Sequence, residues 1–176
     1  VQSAADIERA WQALARSPRA AGMVKLITLR LGGGRHDCPA RVALSPELGV
    51  HGDRWGQQRK HLDAQVTLMN SRVADLLAAG VVPPGASGDN FLVDIDIGEE
   101  ALPVGSRLRL GSALVEITAM PHTGCNKFRQ RFGAAAHEWV NAAPNQALRL
   151  RGVNGRVVTA GEVAVGDPVV CVESSA

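Results

Sequence analysis

Glycine and proline punctuate this chain too closely for any long, regular element. It carries 19 glycines and 9 prolines in 176 residues, close to one residue in six, where about 12% is usual. Such spacing favours tight turns joining short strands. Apolar stretches therefore end early, and none approaches the ~18 residues of a membrane-spanning helix. Hydrophobic residues make up 45% and charged residues 20%, a globular balance that argues against disordered and coiled-coil classes. At this length one core can form without staples.

Periodicity places the elements. Residues 4–16 read as a helix with Ile7, Ala10, Trp11 and Leu14 on one face, Ser3 and Asp6 as a capping box, and Ser17-Pro18 as its stop. Strands are expected at Met23–Leu31, Ala40–Leu44, Ala64–Met69, Asn90–Ile95, Arg107–Leu110, Ala113–Ala119, Asn154–Thr159 and Val169–Val172. Short helices are expected from Asn70 to Gly80, and at Lys127–Phe132 and Ala134–Ala142 around Gly133. No βαβ rhythm shows. The expected fold is mainly β with short helices (α+β), a β-barrel domain over 22–176 with an N-terminal helical appendage over 1–21.

Composition narrows the partners. Three Trp, three Phe and no Tyr are too few for a base-stacking platform, so no nucleic-acid partner is expected. No signal peptide is expected from the pattern of the opening residues. Its three scattered cysteines, Cys38, Cys125 and Cys171, suit a reducing compartment, so a cytoplasmic location off the membrane is expected. Net charge is only +2, but from Pro121 to Arg156 six basic residues face Glu138 alone. That uneven distribution points to a local anionic ligand, with a solvated arginine face as the plainer reading.

Three clusters can carry chemistry. In His122-Thr123-Gly124-Cys125-Asn126-Lys127, a cysteine opens a helix two residues before a lysine, and both features favour thiolate. A thiolate serves as nucleophile, sulfur carrier or soft metal ligand. Cys171, in an apolar strand, reads as core, and Cys38 as incidental. In His51-Gly52-Asp53-Arg54, Arg54 can bind a phosphate or carboxylate, while Asp53 either holds Arg54 or caps a turn. In Gly85-Ala86-Ser87-Gly88-Asp89-Asn90, glycines permit close ligand approach and Asn90 offers donor and acceptor together. His61 and His137 have no motif around them.

In this order the clusters resemble a MOSC domain, the C-terminal domain of molybdenum-cofactor sulfurases. The matching elements are Gly52-Asp53-Arg54, Gln65-Val66-Thr67-Leu68, Gly85-x-x-Gly88-Asp89-Asn90-Phe91, Leu102-Pro103-Val104-Gly105, Cys125-x-Lys127 and Gly161-Glu162-Val163-x-x-Gly166-Asp167. The chain departs where the family often has Gly-Glu-Asn-Leu and Arg-x-Pro-Cys; His122 stands at that arginine. The resemblance implies a barrel like the pyruvate-kinase barrel domain and a bound molybdenum cofactor (molybdopterin), with Cys125 as its metal ligand. It also implies reduction of N-hydroxylated or N-oxygenated small molecules or, alternatively, a persulfide carried on Cys125 without redox catalysis. On this reading Arg54 and Lys127 hold the cofactor phosphate, Asn90 meets the pterin edge, and His122 donates a proton. No PLP is expected in this chain, and a separate electron-donor or sulfur-donor protein is. A barrel that binds an anionic metabolite without catalysis is the third possibility.

Overall fold

Alternation in the short strands decides how they close. A computed structural model describes residues 2–172. After helix α1 (Ala4–Ala13) come β1 (Ala21–Ile27), β2 (Leu29–Gly32), β3 (Arg35–Asp37), β4 (Arg41–Ser45), β5 (Gly49–Val50), α2 (Trp55–Gln58), β6 (Val66–Asn70) and α3 (Ser71–Ala78). Then follow β7 (Phe91–Val93), β8 (Arg107–Leu110), β9 (Ala113–Ile117), α4 (Asn126–Phe132), α5 (Ala134–Asn141), β10 (Val153–Thr159), β11 (Gly161–Ala164) and β12 (Pro168–Val172). Seven strands close a barrel in the order β1-β12-β8-β9-β10-β6-β7. The sheet β11-β4-β5 adds Val42, Leu44, Val50 and Val163 to its core, and β2-β3 stands outside as a hairpin. The chain is thus mixed α+β, with a closed seven-stranded barrel and a few short helices.

Two strands show how barrel and helices share one sheet. All five residues of β6 are buried. Val66 and Leu68 face the barrel core, whereas Met69 points out to a second cluster with Val73, Leu77, Phe128, Trp139 and Val140. In β7, Phe91 and Val93 face in and Leu92 faces out. Period-two alternation normally leaves one face wet, but here helices cover that face. Each such side chain contributes about 1.5–3 kcal/mol by leaving water.

Several expectations shift. The stretch Met23–Leu31 is two strands, because buried Thr28 breaks it. The Thr28 amide donates to the Asn90 carbonyl (2.8 Å), and the Thr28 carbonyl accepts from Asn90 Nδ2 (3.2 Å). Beyond that point β2 leaves the barrel and turns through Gly33 and Gly34 into β3. Glycine is needed there, since φ is +58° and +80°. Gly161–Ala164 forms a further strand, paired with β4. A parallel pair, β6 with β7, is joined through α3, so one βαβ unit exists despite the absent rhythm. Its connection also contains the irregular run 79–90, which hides the pattern.

The N-terminal helix carries the expected capping box: the Asp6 amide donates to Ser3 Oγ at 3.2 Å, and the Ser3 amide to Asp6 Oδ2 at 3.3 Å. It ends at Ala13, not residue 16, where Leu14 turns extended. Ile7 is fully buried, Trp11 meets Trp139 edge to face at 5.7 Å, and Trp139 Nε1 donates to Glu8 at 2.8 Å. These contacts dock α1 on α5 and α3.

Candidate functional site

A cleft of about 160 Å³ opens beside the barrel. The β2-β3 hairpin forms one wall, with Arg30, Arg35 and His36. The Arg54 loop and Ser87-Gly88 form a second, and the His122–Cys125 loop with the first turns of α4 forms a third. Arg151 stands in the back wall.

Two buried carboxylates organise the cationic side chains. Asp53 is almost fully buried. It accepts from Arg30 Nε and Nη2 at 2.9 and 2.8 Å, from the Arg30 amide at 2.7 Å and from the Trp55 amide at 3.0 Å. Burial pushes the Asp53 carboxyl up, but the Arg30 bonds and charge with the two amides outweigh it and lower it. Asp53 therefore holds Arg30 and not Arg54, and it caps the turn into α2. Arg54 stays half exposed and joins the hairpin only through its amide, which donates to the Arg30 carbonyl at 2.8 Å.

Asp89 is the second carboxylate. His122 Nε2 and Arg151 Nη1 each approach it at 2.7 Å. Burial again opposes ionisation, yet the Arg151 charge and the His122 contact bring its pKa down to about 2. Arg151 also donates to the Ser87 carbonyl at 3.3 Å and lies over the Phe128 ring at 4.8 Å, anchoring α4. Its Nε is buried without a partner among the described residues. Burial, followed by the Arg151 charge, lowers the pKa of His122. The ring is thus neutral near pH 7. Because ionised Asp89 can only accept, His122 Nε2 carries the proton and Nδ1 is the acceptor.

Cys125 is exposed at the N-cap position of α4. Partial burial pushes its thiol up, but the Phe128 and Lys127 amides and the Arg151 charge together bring it below the ordinary value. The preceding loop is clamped from behind. The Gly124 amide donates to Asn141 Oδ1 (2.8 Å), while the Gly124 carbonyl accepts from Asn141 Nδ2 (3.1 Å) and His137 Nε2 (2.9 Å). Asn154 Nδ2 holds the Met120 and Pro121 carbonyls at 3.1 and 3.2 Å. A larger cavity of about 650 Å³ lies on that side, and His122 and Arg151 belong to both walls.

Of the residues expected to act, Cys125, Lys127, Arg54 and His122 line one cleft. Asn90 does not, and this corrects the expectation that it meets a ligand. It is fully buried, and both ends of its amide are consumed within the protein. Oδ1 accepts from Thr67 and Arg30, and Nδ2 donates to Thr28 and Asp53. Sequence reasoning also missed Arg30, Arg35, His36 and the clamp, and it read Arg131 and Arg151 only as part of the basic stretch from Pro121 to Arg156. His137 and Asn141 sit four apart on one helix and so share a face, a signal that was available. His51 bonds Ser45 away from the cleft.

No aspartate or glutamate among the described residues lines the cleft. Arg30 and Arg151 are neutralised by Asp53 and Asp89. Arg35, Arg54, Lys127 and Arg131 form no ion pair among the described residues, so the cleft is strongly positive. Burial and the charges of Arg131, Arg30 and Arg54 lower the pKa of His36 at its wall.

The fold and cleft define a small barrel protein that presents a thiol beside a cationic, carboxylate-free pocket. The chain belongs to the MOSC domain family, whose profile matches residues 42–170. Its fold is similar to that of YuaD from Bacillus subtilis, at 15% identity over 88% of this chain and 97% of that one, with a TM-score of 0.60. It is also similar to YiiM from Escherichia coli, at 18% identity over 88% and 71% of the two chains, with a TM-score of 0.59. YiiM from Geobacillus stearothermophilus matches at 18% identity over 89% and 75%, with a TM-score of 0.58. No curated protein matches the sequence. No helix among the described residues is long and apolar enough to cross a membrane.

Proposed function

We propose that this protein binds molybdenum cofactor in the cationic cleft and reduces N-hydroxylated or N-oxygenated small molecules, with Cys125 as the metal ligand. One observation carries the reading: an exposed thiol with a lowered pKa shares a pocket with four unneutralised cations and, among the described residues, no carboxylate. Those residues fit the group. Cys125 supplies the soft sulfur donor that such a metal favours. Arg54 and Lys127, with Arg35 and Arg131 beside them, are the donors for its phosphate. Bound molybdenum supplies two-electron redox chemistry.

The chain's own residues then bind and orient. The Asn141, His137 and Asn154 contacts hold the Cys125 loop in place, which a ligand atom needs more than freedom. Cleavage of an N–O bond takes up two electrons and two protons and releases water. The electrons come from a separate donor protein. His122 was expected to donate a proton. Its single ring proton is held in the Asp89 hydrogen bond, so we assign His122 to orienting that wall, with Nδ1 as an acceptor.

A second reading has its own support. An exposed thiol with a lowered pKa also suits persulfide carriage, with sulfur arriving from a donor protein. The deciding experiment is metal analysis of protein from a host that makes the cofactor, wild type beside Cys125→Ala. Stoichiometric molybdenum in the wild type and its loss in the variant are expected. No molybdenum in either overturns the cofactor reading, and a persulfide mass on Cys125 would then carry the second.

A further inference from the structure

The cavity behind the Cys125 loop is larger than the cleft. Its volume of about 650 Å³ falls within the roughly 300–1,000 Å³ that small organic ligands fill. His122 and Arg151 stand in the wall shared with the cleft, and both are pinned to Asp89. They separate the two spaces. A ligand in the cavity therefore competes for none of the cations assigned to the cofactor.

Most polar groups of the cavity wall are already spent. Asn141 and His137 Nε2 hold Gly124, and Asn154 Nδ2 holds two carbonyls. Arg149, also in this wall, is the exception. Its Nη1 donates to the Leu102 carbonyl at 2.6 Å and faces the Ile97 carbonyl at 3.4 Å, which fixes the guanidinium. Nε and Nη2 have no hydrogen-bond partner among the described residues. Those two donors form an edge of the guanidinium fork that takes a carboxylate side-on.

Charge points the same way. Arg149 forms no ion pair among the described residues. Burial lowers its pKa, and the charge of Glu99 offsets this only in part. A desolvated cation gains from a contacting counter-charge. Glu99 lies in the same wall, so a monoanion suits the site better than a dianion such as a phosphate monoester. Met120, Val140, Leu150 and Val153 also line the space and give an apolar body something to rest on.

We propose that this cavity binds a small organic monocarboxylate, with the Nε–Nη2 edge of Arg149 as its anchor and the apolar wall around its body. The site is separate from the cationic cleft, and it stands whether or not the cleft holds molybdenum cofactor.

The test is calorimetric titration of the full chain at about pH 7.5 with phenylacetate, which is then ionised, and with its neutral isostere phenylacetamide. Phenylacetate is expected to bind about tenfold tighter, and Arg149→Gln to erase that preference. Because Arg149 also holds the Leu102 carbonyl, two exposed variants keep the test independent of folding. Val104 lines the cavity two residues beyond Leu102 and is 54% exposed. Val104→Glu places a competing carboxylate beside Arg149 and is expected to weaken phenylacetate about threefold or more. Glu99→Gln removes a repelling charge and is expected to tighten it about twofold. No binding of phenylacetate, no preference over the amide, or an affinity that both exposed variants leave unmoved overturns the proposal. Binding that is lost in Lys127→Ala but kept in Arg149→Gln places the probe in the cleft and overturns it too.

Discussion

Asp53 and Asp89 are both buried, and both hold an arginine at the edge of the same cleft, but they are used differently. Asp53 is saturated: Arg30, two backbone amides and Asn90 fill its acceptor positions. Arg30 and the two amides belong to β2 and the α2 turn, and Asn90 leads into β7, so every partner lies in the framework of the barrel and its hairpin. Asp89 binds two side chains that both face the cleft, and it leaves Arg151 Nε without a partner. The first carboxylate builds a wall. The second sets the charge and orientation of what the wall presents. A buried ion pair is thus structural or functional according to where its spare valences point.

Removing each carboxylate separates the two roles. Asp53→Ala leaves Arg30 largely buried without its counter-charge and is expected to cost about 3–5 kcal/mol, read by urea denaturation. Asp89→Asn keeps the shape and an acceptor for His122 but removes the charge. A smaller loss of about 2–3 kcal/mol is expected, together with tighter phosphate binding, because one negative charge beside the cleft is gone. If Asp89→Asn weakens phosphate binding, the division of roles fails.

Acid sharpens the same contrast. His122 has a folded pKa below its unfolded value, so its contribution is complete above the unfolded value near 6.5 and is lost as pH falls below it. Unfolding free energy should fall by up to about 1.4 kcal/mol per pH unit from pH 6.5 downward. His36 acts with the same sign. Both carboxylates are also lowered, so their contributions are lost only at more acid pH, below about 4. Thermal melts of wild type and His122→Gln between pH 7 and 5 should show a shallower slope in the variant. An unchanged slope would remove His122 from the account. The smallest effect on stability is expected at the rim. Lys127→Ala should stay within about 0.5 kcal/mol of wild type, yet weaken phosphate binding and reduce its salt dependence.

The barrel was legible because its signals are local. Alternation in Arg107–Leu110, the Asn70 cap of α3 and the Gly133 break between α4 and α5 are each read within a few residues. The site was legible only where one residue type implies chemistry by itself, as with Cys125, Lys127 and Arg54. Its framework was not, because it is built from long-range pairs. Asp53 meets Arg30 across 23 positions and Asp89 meets Arg151 across 62. Asn90 misled for the same reason: an amide suited to a heterocycle edge is equally suited to tying Thr28, Thr67 and Asp53 together, and burial decides between them.

Strand β12 lies between β1 and β8, and that placement governs how the molecule is made. A nascent chain emerging at about 5–20 residues per second has every other strand of the barrel outside the ribosome before β12 follows. For that interval β1 and β8 are unprotected sheet edges, open to pairing with another chain. Truncation or slow translation just ahead of Pro168 should therefore send the protein to aggregates and not to a partly active fold, although the cleft residues have already been synthesised.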